Sequence, residues 1–310
     1  TLSILPIIMK PHHPRATEAA TKYFLIQATA AALILFTSTI NAWQTGQWSI
    51  IHSPSIITTS ILTMAIMLKL GLAPTHLWYP DVIQGSTMHT ALIISTWQKI
   101  APLTLLYLTT NHLPTNTLLL VGLTSALVGG WAGLNQTQTR KIMAFSSIAH
   151  MGWLITALAI NTSLATLTIT IYMIMTTTMF SSLTSTNAKT ITDLGTTWSH
   201  SPALLTTTMI TLMSLGGLPP LSGFTPKWLI LKELTTLNLA PIGTTLALAS
   251  LPSLYFYIRM AYMTTLTNPP NTTTTEHKWR FKMTYSPNLT PTIALTMLLL
   301  PLTPMLYNTT

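Results

Sequence analysis

The sequence predicts an all-α polytopic membrane protein, and three observations carry the prediction. Of 310 residues, 48% are hydrophobic and only 6% charged. An ordinary soluble domain carries about 25% charged residues, so a water-facing surface of normal kind is excluded. Apolar stretches of membrane-spanning length recur along the whole chain. Two of them are interrupted by glycine and proline with a lysine close by. Paired interruptions of this kind are a strong sequence pointer to ion sites in repeat-built transporters.

The elements follow in order. Residues 1–9, TLSILPIIM and its flank, are too short to span a bilayer and lack the basic residues and cleavage site of a signal peptide. They read as the remnant of a helix whose start is missing, and the chain as a fragment without its N-terminus. A helix is expected at about 16–40, with Glu18 and Lys22 in favourable i,i+4 order. A polar loop, 41–55, carries Trp43 and Trp48 as interfacial anchors. The first broken span is 56–79, with Lys69 beside Gly71 and Pro74, followed by a turn at 80–85. Helices at about 88–108, containing Lys99, and 116–134 come next. The glycines of Gly129-Gly130-Trp131-Ala132-Gly133 point to close helix packing. Helices at about 142–160 and 163–185 and a mixed loop, 186–202, lead to the second broken span, 203–238. There Gly216, Gly217, Pro219 and Pro220 interrupt the run, since proline removes a backbone donor and glycine loosens the ladder, and Lys227 follows. A helix at about 241–266, a basic polar segment at 267–290 and a last helix at about 291–307 complete one transmembrane domain over 1–310.

Counting each broken span as one crossing gives about nine crossings plus the remnant, and the loops then alternate between two sides. The loops 10–15, 80–87, 135–141, 186–202 and 267–290 hold Lys10, Arg15, Arg140, Lys141, Lys189, Lys278, Arg280 and Lys282. The opposite loops, 41–55, 109–115, 160–163 and 239–241, hold no lysine or arginine. Positive residues stay on the side of synthesis, which accounts for most of the net charge of +9 without invoking nucleic acid. The chain has no cysteine, so disulfides, thiolate metal sites and iron–sulfur clusters are excluded. No Gly-rich phosphate loop is present. The sequence therefore predicts no cofactor in this chain.

Lys69, Lys99 and Lys227 remain near mid-membrane. A single such lysine often snorkels to the interface. Three at central depth, two of them beside helix breaks, point to the bundle interior and to function. Burial disfavours the ammonium form of a lysine in general. Two like charges about 10 Å apart at an effective dielectric near 20 repel by roughly 1.7 kcal/mol, so protonating one site drives release from the next. A row of such sites joined by water is a proton relay, with His76 and His150 as candidate bridges. A structural hydrogen bond is an equally good reading of each histidine. His12, His13, His52, His89, His112, His200 and His277 carry no metal-ligand spacing and no assigned role.

The stretches HHPRATEAATKYFLIQATA (12–30), MLKLGLAPTHLWYPDVIQG (67–85), STWQKIAPL (95–103), GGWAGLNQTQTRKIMAFSSIAHMGW (129–153), LMSLGGLPPLSGFTPKWLILKEL (212–234) and LYFYIRMAY (254–262) carry a resemblance over nearly the whole chain. It resembles the subunit 2 family of vertebrate mitochondrial NADH:ubiquinone oxidoreductase, respiratory complex I. The resemblance implies an antiporter-like helix bundle of two inverted repeats with two discontinuous helices. It places Lys69, Lys99 and Lys227 on the hydrophilic axis that carries protons, and implies that the glutamate beginning this axis lies before Thr1. It also implies the mitochondrial inner membrane, basic loops toward the matrix, with other membrane-arm subunits, antiporter-like ones among them, and lipids as partners. NAD, FMN, iron–sulfur clusters and ubiquinone would belong to the rest of the assembly. A free-standing cation/proton antiporter and a transport-inactive scaffold are the alternative readings.

Overall fold

The two helix breaks end in the same way. In the computed structural model, which describes residues 2–9, 13–48, 55–199, 201–266 and 289–309, helix α3 (Ile56–Leu70) starts on Ser55, whose hydroxyl caps Thr58 N. It stops at Gly71, whose φ of 70° suits glycine. Leu72 N bonds Met67 O and Gly71 N bonds Leu68 O, the paired bonds of a Schellman cap. Helix α11 (Pro202–Gly216) stops at Gly217, with φ 83°. Leu218 N and Gly217 N bond Met213 O and Ser214 O. In both cases two of the carbonyls freed by the break are satisfied by the backbone itself, and a membrane interior requires partners for such groups. Each stop is followed by a turn and a second helix, α4 (Trp78–Gly85) or α12 (Phe224–Thr236).

The other helices, in chain order, are α1 (Leu5–Ile8), α2 (Pro14–Thr45), α5 (Met88–Ser95), α6 (Trp97–Thr109), α7 (Thr115–Gly133), α8 (Thr139–Ile160), α9 (Thr162–Thr186), α10 (Ile191–Thr196), α13 (Ala240–Thr265), α14 (Leu289–Leu298) and α15 (Thr303–Thr309). Among the described residues, five helical segments are individually long and apolar enough to cross a membrane: 14–45, 88–112, 115–133, 139–160 and 162–186.

Several elements differ from the sequence expectation. Residues 80–85, expected as a turn, belong to α4. Pro80 is accommodated because it sits in the first turn of that helix, where its missing N–H has no intrahelical partner to lose. The expected helix 88–108 is divided at Thr96, whose hydroxyl and N–H both turn back to Leu92 O, a contact that bends helices. The loop 186–202 contains α10, opened by a capping box between Thr190 and Asp193. The last helix bends by 65° between α14 and α15, at Leu300-Pro301-Leu302. The basic segment from 267 to 288 and residues Lys10, His12, His52 and His200 lie outside the described residues.

Helix α8 is the hub. It packs against α7, α9, α4, α5, α12 and α13 and is buried nearly all round, as a helix with no polar face must be. Its first half, through Ile148, joins one apolar cluster. Its second half, from Met151, joins another. Helix α7 lies unusually close to it, because a Cβ at Gly129 would meet Ala149 N at 2.6 Å and one at Gly152 would meet Gly122 O at 2.6 Å.

Three of the loops expected on one side meet at one end of the bundle. Thr139 N bonds Lys189 O and Ile191 N bonds Thr137 O, and the Arg140 guanidinium donates to Ser86 O. Near this end Lys22 pairs with both Glu18, as expected, and Asp81. Arg259 donates to Leu134 O at 2.9 Å, a cation on the C-terminal end of α7 where the helix dipole favours it.

Candidate functional site

His150 stands at the midpoint of α8, where the two apolar clusters adjoin, and the polar groups of the interior gather around it. Lys99, in the first turn of α6, is 3% exposed. Its ammonium donates to the Tyr172 hydroxyl at 3.2 Å and lies 4.9 and 5.1 Å from the ring centres of Tyr79 and Tyr172, within cation–π range. The Tyr172 ring is 5.7 Å from that of His150. On the far side of His150, Nε2 and the Tyr257 hydroxyl are 3.3 Å apart.

Lys227 approaches from α12. Its ammonium donates to Gly216 O at 2.9 Å, a carbonyl in the last turn of α11, and lies 6.0 Å from the Trp153 ring centre. A cavity of about 20 Å³ lies between His150, Tyr172 and Lys227, space for roughly one water. A second of about 10 Å³ joins His150 and Lys227 to Ser253. No carboxylate bonds either lysine among the described residues. The ammonium groups are held by a hydroxyl, a carbonyl and aromatic faces.

The structure thus brings together Lys99, His150 and Lys227. Lys69 stands apart in the last turn of α3, partly buried, with no ion-pair partner among the described residues. His76 lies in the turn between α3 and α4, its carbonyl accepting from Tyr79 N. No hydrogen bond or ring contact among the described residues joins it to a lysine. Gly71 packs against Tyr79 so closely that a Cβ added to the glycine would lie 3.1 Å from Tyr79 Cβ, and the first break thereby reaches Lys99 through the Tyr79 ring. Tyr79, Tyr172 and Tyr257 are the residues that sequence reasoning missed. Each is fully or nearly fully buried, and a buried tyrosine hydroxyl in an apolar run was the available signal.

This fold is that of the antiporter-like membrane subunits. A family profile described as "NADH:quinone oxidoreductase/Mrp antiporter, TM" matches residues 2–252. A second, "NADH dehydrogenase subunit 2 C-terminus", matches residues 254–307. The NADH-ubiquinone oxidoreductase chain 2 of Polypterus ornatipinnis is 52% identical over 99% of this chain and 89% of its own length. That of Gallus gallus is 51% identical over 99% and 89%. Among solved structures, respiratory complex I from Thermus thermophilus with bound aureothin contains a chain of TM-score 0.79 and 26% identity, matched over 98% of this chain and 69% of that one. The Mrp complex from Dietzia, at TM-score 0.77 and 16% identity over 83% and 52%, shares the fold. The chain belongs to the NADH-ubiquinone oxidoreductase chain 2 family.

It is a membrane-arm subunit of that larger translocase and assembles with other membrane-arm subunits. It is a multi-pass protein of the mitochondrial inner membrane. The chain has no cysteine, and no group of three or more His, Asp or Glu able to hold a metal occurs among the described residues.

Proposed function

We propose that this chain conducts protons through Lys99, His150 and Lys227, with Lys69 feeding the row and His76 supporting it at the first break. The observation that carries the reading is the convergence of two lysines from different helices on one histidine, with a cavity of water size between that histidine and Lys227. A buried lysine without a carboxylate partner exchanges its proton more readily than one locked in an ion pair. The repulsion between neighbouring ammonium groups supplies the drive for release. Water in the cavity bridges His150 and Lys227, and the Tyr172 ring stands between His150 and Lys99. Redox chemistry takes place on other subunits and reaches this one as a change in the shape or field around the row.

In this reading the two broken elements each cross the membrane once, the chain makes about nine crossings, and its basic loops face the matrix. The clustering of loops 80–87, 135–141 and 186–202 at one end supports a single basic side.

Two experiments test this. Replacing Lys69, Lys99 and Lys227 together by methionine in the assembled complex should lower the proton-to-electron ratio while leaving NADH oxidation measurable. An unchanged ratio removes the lysine row from the mechanism. For orientation, the absence of cysteine provides a silent background. Lys189→Cys should react with an impermeant maleimide in inverted inner-membrane vesicles and resist it in mitoplasts, and the reverse pattern overturns the orientation.

A further inference from the structure

The Tyr172 hydroxyl also meets the Ser147 side chain, and its contacts to Ser95 and Lys99 have roles fixed by chemistry. It lies 3.2 Å from Ser95 O and 3.2 Å from Lys99 Nζ. A carbonyl only accepts and an ammonium only donates, so the hydroxyl gives its single proton to Ser95 and accepts from Lys99. Ser95 O is available because of the division between α5 and α6. In a continuous helix that carbonyl would accept from Lys99 N, four residues on. Here Lys99 N bonds Thr96 O instead. Pro102, inside α6, removes a further backbone bond just beyond this break, since it lacks the N–H that would close on Gln98 O.

We propose that Tyr172 is a positioning residue that reads the bend between α5 and α6 and sets whether Lys99 holds its proton. This rests on the proton-relay reading above. In the bent form the Tyr172 hydroxyl donates to Ser95 O, and its oxygen, with the faces of Tyr79 and Tyr172, favours the ammonium. When α5 and α6 straighten, Ser95 O returns to Lys99 N and the hydroxyl proton is released from the carbonyl. Tyr172 then donates to Lys99, which fits the neutral amine and not the ammonium. The Lys99 N–H bond breaks, and its proton passes to water and on to His150. A backbone movement is thereby converted into proton release at a side chain of the same helix. The titratable groups facing Tyr172 are Lys99 from α6, Tyr79 from α4, His150 from α8, Lys227 from α12 and, beyond His150, Tyr257 from α13. None of them is a carboxylate.

The test uses complex carrying Tyr172→Phe, reconstituted in proteoliposomes, with Lys99→Met in parallel. NADH-driven proton uptake and electron transfer are measured across pH. Phenylalanine keeps the ring and removes only the hydroxyl. The expected result is loss of pumping in K99M and, in Y172F, an alkaline limb of the pumping profile moved about one unit or more toward acid, since the lost hydrogen bond favours the charged form of Lys99. A Y172F profile that overlays the parent while K99M is inactive overturns the role of Tyr172 and leaves the relay standing. Normal pumping by K99M overturns both. If Y172F does not assemble, Pro102→Ala decides: this variant favours the straight form, so the same shift supports the proposal and an unchanged profile overturns it.

Discussion

The Lys227 ammonium donates to the Gly216 carbonyl at 2.9 Å, folding back from α12 onto the last turn of the helix that precedes the break. The lysine thus bridges both halves of a discontinuous element. Room for it depends on the next residue. A Cβ at Gly217 would lie 2.9 Å from Lys227 Nζ and 3.1 Å from its Cδ.

Gly217→Ala should therefore displace Lys227 from this carbonyl while the complex still assembles, because the atoms met are the end of a flexible side chain. The left-handed φ adds strain of about 1 kcal/mol or more. Losing a charge-assisted contact of roughly 1.5–3 kcal/mol should lower proton uptake by about tenfold or more relative to electron transfer. A structure of the variant with Lys227 still on Gly216 O would refute the steric argument.

Glycines around the same break should divide sharply. A Cβ at Gly223 would overlap Ser214 O, a backbone atom that cannot step aside. Gly223→Ala should leave little assembled complex on a native gel. At Gly216 the nearest contact would be Tyr257 at 3.9 Å, ordinary van der Waals range, and the residue is helical. Gly216→Ala should assemble at parental levels and gain up to about 1 kcal/mol of helix propensity. Equal yields of the two variants would contradict this.

The α7–α8 seam makes a third case. At Gly152 an added methyl would meet Ser125 Oγ at 2.5 Å and two backbone atoms of α7 within 2.7 Å. Gly152→Ala should force the helices apart at a cost of about 1–3 kcal/mol. The expected readout is a lower thermal midpoint of the detergent-solubilised complex. Because α8 also carries His150, proton uptake should fall with it, whereas Leu120→Ala, on an exposed face of α7, should change neither.

Much of this arrangement was legible in the sequence, for local reasons. The breaks at Gly71 and Gly217 announce themselves because glycine and proline act on their own backbone, and the close approach of α7 and α8 follows from glycines spaced along one face. The lysines stand out because charge is so rare here. What was missed depends on partners far away in the chain. Tyr172 is 73 residues from Lys99 and 77 from Ser95, and nothing around it marks its hydroxyl as shared between them. The division at Thr96 has no glycine or proline at the bend itself, only a threonine among many. Lys22 was paired with its helical neighbour Glu18, while its second partner, Asp81, is 59 residues on. The turn expected at 80–85 failed because proline was read as a breaker where it occupies the first turn of a helix.

The position of His150 at the middle of α8, between two apolar clusters, has an electrical consequence. Crossing the whole bilayer against a potential of 100 mV takes about 2.3 kcal/mol per elementary charge. In the proposed relay a proton passes from Lys99, midway along the segment 88–112, to His150, midway along 139–160, and so stays near one depth. That lateral leg is nearly isopotential, so the membrane voltage neither drives nor opposes it. The voltage acts on the steps that bring a proton to this depth and take it away. An inner membrane charged by respiration therefore loads the vertical ends of the route and leaves its middle free to run in either direction.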